Sequence, residues 1–172
     1  FAECTDYSLN ENKKIKDIEI DIYESKKFFK KLSKVYLERL TEKSSKKINK
    51  KKYKAKIKIN YIDKSYCIYD STIRAHGDGN DHVDLIDRVP MPSLRVKLKE
   101  GNIKQITRFI LLRPKSRLFE NEIFTTTLFS HLNFLSPRTF AIKVKINGVK
   151  GDYIFQEGLK KEFLEYNKKI DG

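Results

Sequence analysis

Runs that alternate apolar and charged residues with a period of two constrain this chain more than any other feature. Ile18-Glu-Ile-Asp-Ile22 is one. Tyr53, Ala55 and Ile57 interleave with Lys54, Lys56 and Lys58 in a second. Leu94, Val96 and Leu98 interleave with Arg95, Lys97 and Lys99 in a third, and Phe140, Ile142, Val144 and Ile146 mark a fourth. Successive side chains of a strand point to opposite faces, so each run predicts a strand with one buried and one wet face. Residues 66–74 read as a further strand and residues 106–112 as a more fully apolar one. Asn147-Gly148 makes a tight turn from which 153–156 returns as a hairpin. Residues 83–92 hold Pro90 and Pro92 and read as loop.

Helical spacing appears in three places. Phe28, Phe29, Leu32, Val35, Tyr36 and Leu40 recur on one face of residues 26–40, with lysines opposite. Residues 117–134 read as a second helix, and a last one starts near Leu159. The pattern predicts an α+β fold, an antiparallel sheet with one inserted central helix. That helix carries Leu118, Phe124, Leu128, Phe129 and Leu132 in one arc and Phe119, Ile123 and Phe134 in another. A helix apolar on two sides is expected to be buried on two sides. Its second face calls for the N-terminal helix, a partner or a further domain.

A chain of 172 residues with 39% hydrophobic residues suits one domain or one lobe of something larger. No run approaches the roughly 18–20 apolar residues of a membrane span. Cys4 and Cys67 match no metal spacing and could pair or stay free. The chain starts at Phe1, which leans the reading toward an exported protein whose signal has been removed. The net charge of +14 is local: residues 26–58 hold fifteen Lys/Arg against Glu38 and Glu42. This stretch, with Lys46, Lys47, Lys50, Lys51 and Lys52 at its centre, suits a polyanion. It also reads as a solvated surface, since lysines are weakly specifying point charges and the stretch has one arginine.

The densest chemistry lies in Arg74-Ala-His-Gly-Asp-Gly-Asn-Asp-His82. Gly77 and Gly79 permit positive φ, so backbone N–H groups there can converge on an anion. His76, Asp78, Asp81 and His82 are possible metal ligands, though their spacing fits no structural metal site. Asp and Asn beside Gly are equally ordinary turn residues. Lys97, on a strand, could reach a phosphate with a helix glutamate fixing its ammonium. Glu122 is the candidate, lying beside Leu118 and Phe129 on the wheel and requiring a cation if half-buried. It could as well pair with any nearby base.

Several of these residues recur in order. Arg74-x-x-Gly77-Asp78-x-x-Asp81-His82 is followed by Ser93-Leu-Arg-Val-Lys97, Arg108-Phe109 and Pro114-Lys-Ser-Arg117. Glu122, Leu135-Ser-Pro-Arg138, Ile146-Asn-Gly148, Gly151-x-Tyr153, Gln156-Glu157 and Phe163-Leu-Glu165-x-Asn167 complete the series. It resembles the CotH-type kinases, named for spore-coat protein H, over residues 53–172. Residues 1–52 then form an N-terminal strand-helix extension with a lysine-rich connector. The resemblance implies the N-terminal lobe of a protein-kinase-like fold. Arg74, Gly77 and Asp78 would cover the nucleotide phosphates, and Lys97 would hold the α/β-phosphates and pair with Glu122. Glu157 would lead into the segment beside the adenine. It further implies ATP, Mg²⁺ held mainly by a C-terminal lobe, a protein substrate phosphorylated on Ser or Thr, and no metal ligands here. The family's catalytic and metal-binding aspartates fall beyond Gly172, so the chain alone is expected to be inactive.

Overall fold

Every alternating run becomes a strand, and the strands close on one another. The computed structural model describes residues 13–41, 51–77 and 82–168. In chain order these form β1 (Ile15–Ile22), α1 (Ser25–Thr41), β2 (Tyr53–Tyr61), β3 (Tyr66–Ala75), β4 (Val83–Ile86) and β5 (Val89–Pro92). There follow β6 (Leu94–Leu98), β7 (Arg108–Leu112), a 3-10 turn (Pro114–Arg117), α2 (Asn121–His131), β8 (Thr139–Ile146), β9 (Val149–Glu157) and α3 (Lys161–Tyr166). Seven strands make a closed barrel in the order β1-β2-β3-β6-β7-β9-β8, while β4 and β5 form a separate hairpin.

The expected α+β sheet with a central helix, like the N-lobe of a kinase, is overturned by this closure. The described helices are small beside the barrel and lie outside it. The physical reason is β1. It pairs antiparallel with β2 and parallel with β8, so it satisfies both edges that an open sheet would leave exposed. Its side chains suit that place. Ile18, Ile20 and Ile22 point into the core, and the acids between them meet bases on both neighbours. Glu19 lies 2.6 Å from Lys145 Nζ on β8 and 3.9 Å from Lys58 Nζ on β2. Asp17 accepts from Asn60 at 2.6 Å.

The barrel interior is filled. Ile57, Ile59, Tyr61, Ile73, Val96 and Tyr153 are buried, and Phe109 and Phe140 each stack on Phe155 at 4.6 Å between ring centres. At roughly 1.5–3 kcal/mol for each large apolar side chain taken from water, this core dominates stability. α1 adds Phe28 and Leu32 to the same cluster, with the Phe28 ring edge-on to Tyr53 at 5.2 Å.

Two local expectations also change. Residues 83–92 are not loop: Asp87 and Arg88, at φ 50° and 63°, turn β4 back as β5. Pro90 and Pro92 fit because the hairpin has only two strands, leaving an edge where a missing N–H is tolerated. The second helix is eleven residues, because Leu118 and Phe119 adopt φ 50° and 58° and break it at the start. It is not buried on two sides. Phe124, Leu128, Phe129 and Leu132 are all exposed, and Thr126 is the buried residue of α2.

Candidate anion site on the outer barrel face

The barrel's register carries the outward side chains of four strands into one row. Arg74 on β3 faces Arg95 on β6, Arg95 faces Ile110 on β7, and Ile110 faces Gln156 on β9. At the far end Gln156 Nε2 donates to Glu122 Oε1, which docks the first turn of α2 onto the sheet. Glu122 Oε2 lies 3.7 Å from Arg117 Nε. Lys97 is exposed in the neighbouring row, between Thr72 and Arg108. The carboxylate of Glu122 is thus held by Gln156 and Arg117, and Lys97 has no ion pair with it here.

His76 sits at the end of β3, where the charge of the row converges. Burial comes first, and the nearby Arg95, His82, Arg117 and Arg74 add to it, pushing its pKa down to about 4. Burial, then Arg74, also lowers the pKa of Arg95. Like charges directly opposite across a strand pair are destabilising, so the Arg74–Arg95 pair costs the sheet energy. Arg117 Nε is, among the described residues, the one buried side-chain nitrogen or oxygen without a hydrogen-bond partner. The site is a surface with excess positive charge, a neutral imidazole and an unmet donor. It can take an anion.

Ser93 holds the loop that borders this row. Its carbonyl accepts from His76 N at 2.8 Å, and its N–H donates to His82 O at 2.7 Å. Its hydroxyl accepts from Arg113 N at 2.8 Å and lies 3.3 Å from His82 Nδ1. Both flanks of the turn are therefore pinned to one buried serine. Gly77 has φ 85°, and a Cβ there would fall 2.1 Å from the His82 ring, so glycine is required for the ring to pack across the turn. Asp78 and Asp81 lie outside the described residues. No group of three or more His, Cys, Asp or Glu able to hold a metal occurs among the described residues.

Glu157 occupies a different environment from the row. Its side chain is 1% exposed and takes both ends of the Arg138 guanidinium, at 2.9 Å from Nε and 2.7 Å from Nη2. Arg138 in turn stacks over Tyr166 of α3 at 3.9 Å and donates to Lys104 O at 2.7 Å. Of the lysines read as polyanion-binding, Lys51 and Lys52 are exposed at the start of β2. Lys46, Lys47 and Lys50 lie outside the described residues.

Sequence reasoning singled out Arg74, Gly77 and Glu122 but missed Arg95 and Arg117 as partners in one row. Both lie inside the motifs quoted above. The signal for Arg95 was its place opposite Arg74, which depends on strand register. A second missed pair is Arg113 and Asp84: the buried guanidinium donates to Asp84 Oδ2 at 3.0 Å and to Asp152 O at 2.9 Å. It also covers the ring of Tyr153 at 4.6 Å. Burial raises the Tyr153 phenol to about 12, so its hydroxyl stays protonated and donates to Pro92 O. No helix of the described residues is long and apolar enough to cross a membrane.

No protein-family model matches this chain, and no curated protein matches it. The likeness to CotH-type kinases therefore stands on the residue pattern alone.

Proposed function

We propose that this chain binds the phosphates of ATP along the Arg74–Arg95–Arg117 row, as the nucleotide-binding part of a phosphotransferase. In this reading the intact protein moves the γ-phosphoryl to Ser or Thr hydroxyls of a protein, as the CotH resemblance implies. The observation that carries it is the gathering of three arginines around one neutral histidine, with Glu122 as the row's carboxylate. Guanidinium forks match phosphate oxygens bidentately, and such charge-assisted bonds are the strong ones. Phosphoryl transfer is mostly positioning and charge stabilisation, which is work that such a row can do.

Each group has a role that its surroundings suit. Arg74 and Arg95 hold phosphate oxygens, and binding relieves their mutual repulsion. Arg117 adds its charge beside them, with its buried Nε turned toward Glu122. Glu122, fixed by Gln156, orients Arg117. Lys97, one row away, reaches a neighbouring phosphate through its long flexible side chain.

The row's described residues do not suit Mg²⁺. The ion prefers carboxylate oxygens and waters, and Glu122 already serves a guanidinium and an amide. Ligands for it would come from a second lobe, and the exposed apolar side of α2 is the face such a lobe would cover.

Calorimetric titration with ATP, inorganic triphosphate and adenosine tests the reading. Triphosphate and ATP should bind and adenosine should bind far more weakly. Arg74→Gln and Arg95→Gln should each weaken ATP by about tenfold or more, as expected for a lost charged hydrogen bond of about 1.5–3 kcal/mol. Lys97→Ala should cost less. ATP affinity unchanged in the Arg74→Gln/Arg95→Gln double variant would remove the site.

A further inference from the structure

α1 carries a second basic surface, separate from the arginine row. At 3.6 residues per turn, Lys26, Lys27, Lys30, Lys31 and Lys34 fall within an arc of about 140°. All five are exposed, while Phe28 and Leu32 on the other side are buried in the barrel's core cluster. Residues 25–37 contain no Asp or Glu. Glu24, just before the helix, is 2.5 Å from Lys27 Nζ, and Lys51 and Lys31 also act on its carboxylate. The start of β2 therefore brings its own exposed lysines, Lys51, Lys52 and Lys54, alongside.

This arrangement works against the helix that bears it. Lys26 and Lys27 stand in a first turn with no acidic residue, at the positive end of the helix dipole. Lys26 and Lys30, Lys27 and Lys31, and Lys30 and Lys34 are like-charge neighbours one turn apart, an unfavourable spacing. The acids nearest this face stand toward its two ends, Glu24 before the helix and Glu38 one turn after Lys34. A linear polyanion lying along the arc would offset all of these repulsions at once.

We propose that the lysine arc of α1 binds the phosphate backbone of nucleic acid without reading its sequence. Five charges span the roughly 12 Å from Lys26 to Lys34 at 1.5 Å per residue, about one per 3 Å. Duplex DNA, both strands counted, carries about one charge per 1.7 Å of its axis, a density that exceeds that of the lysine arc and can neutralise it. Lysines are point charges without the planar fork that reads guanine, so base recognition is not built in. A lipid surface fits less well, because an interfacial helix inserts a whole row of apolar side chains, while α1 spends Phe28 and Leu32 on the core and leaves Leu37 exposed among the lysines.

The test is fluorescence anisotropy of two unrelated duplexes of equal length, titrated with the full chain between 50 and 200 mM salt. Both duplexes should bind alike. If five phosphates are contacted, affinity should fall about 500-fold over that range, from a slope near 0.9 per contact. Lys26→Gln/Lys30→Gln/Lys34→Gln should reduce the fall to about 12-fold by the same relation. Lys64→Gln/Lys99→Gln/Lys150→Gln removes the same charge from exposed sites elsewhere and should retain the wild-type slope. Melting temperature read alongside should stay close to that of the wild type in both variants, so that a changed slope reports binding and not unfolding. Equal losses in the two triple variants, affinity indifferent to salt, or strong preference for one duplex would overturn the proposal. So would tenfold tighter binding to heparin or to anionic vesicles at matched salt.

Discussion

Glu157 shows how much one buried carboxylate can hold. It clamps Arg138, which reaches Lys104 on one side and lies on the Tyr166 ring on the other. Three separate segments meet through that one guanidinium. Glu157→Ala would leave the partly buried Arg138 guanidinium without its carboxylate, and should lower unfolding free energy by about 1–3 kcal/mol in urea denaturation. His76 gives a prediction of a different kind. Its pKa is lowered to about 4 in the fold, against about 6.5 unfolded. The fold therefore keeps this contribution above pH 6.5 and loses it as pH falls from there toward 4. Thermal melts across that window should fall more steeply for the wild type than for His76→Gln. ATP bound along the arginine row should raise the His76 pKa, visible as a shifted imidazole titration by NMR. At this scale the sequence was readable in identity but not in partnership. Glu157 and Arg138 both stood in recognisable motifs, yet nothing in a spacing of nineteen residues says that one side chain grips the other.

The elements themselves were more legible than their neighbours. Period-two alternation placed β1, β2, β6 and β8 within a few residues of their observed bounds. It could not say that β1 joins the barrel between β2 and β8. The signal was available in charge: β1 is acidic on its outer face, while β2 and β8 are basic on theirs. A strand with acids at 17, 19 and 21 suits a place between two rows of lysine. Glu19→Lys reverses that logic by putting a third cation beside Lys58 and Lys145. It should lower the melting temperature at low salt and recover part of the loss at high salt, because partly exposed charges are screened. The proline hairpin was missed because Pro is read as a strand breaker, and a two-stranded edge does not enforce that rule. α2 was overestimated because helical spacing says nothing about left-handed residues. Leu118 and Phe119 are neither glycine nor asparagine, yet both break the helix.

Seen whole, the molecule separates its tasks around a closed wall. Core packing fills the barrel, and the arginine row lies on the outside of β3, β6, β7 and β9. The lysine arc rides on α1, and the large apolar side chains of α2 stand outside as well. Each outer surface can be altered without opening the barrel, which is why substitutions at Arg95 or Lys30 should read on binding more than on stability.

The same closure sets an order of events during synthesis. Glu19 on the first strand meets Lys145 across a separation of 126 residues, and β1 has no other strand for that edge. At about 5–20 residues per second a ribosome delivers β8 some 6–25 seconds after β1. For that interval one side of β1 carries bare backbone donors and acceptors. Long-range pairings of this type are slow to form and exposed to mispairing. In pulse-labelled hydrogen exchange during refolding, amides at the β1–β8 seam should be protected last, after those between β2 and β3. Of the barrel's strands the first made is the last one locked, and the lysine row of another unfinished chain's β2 matches its outward acids, so mispairing between chains is the hazard that this order carries.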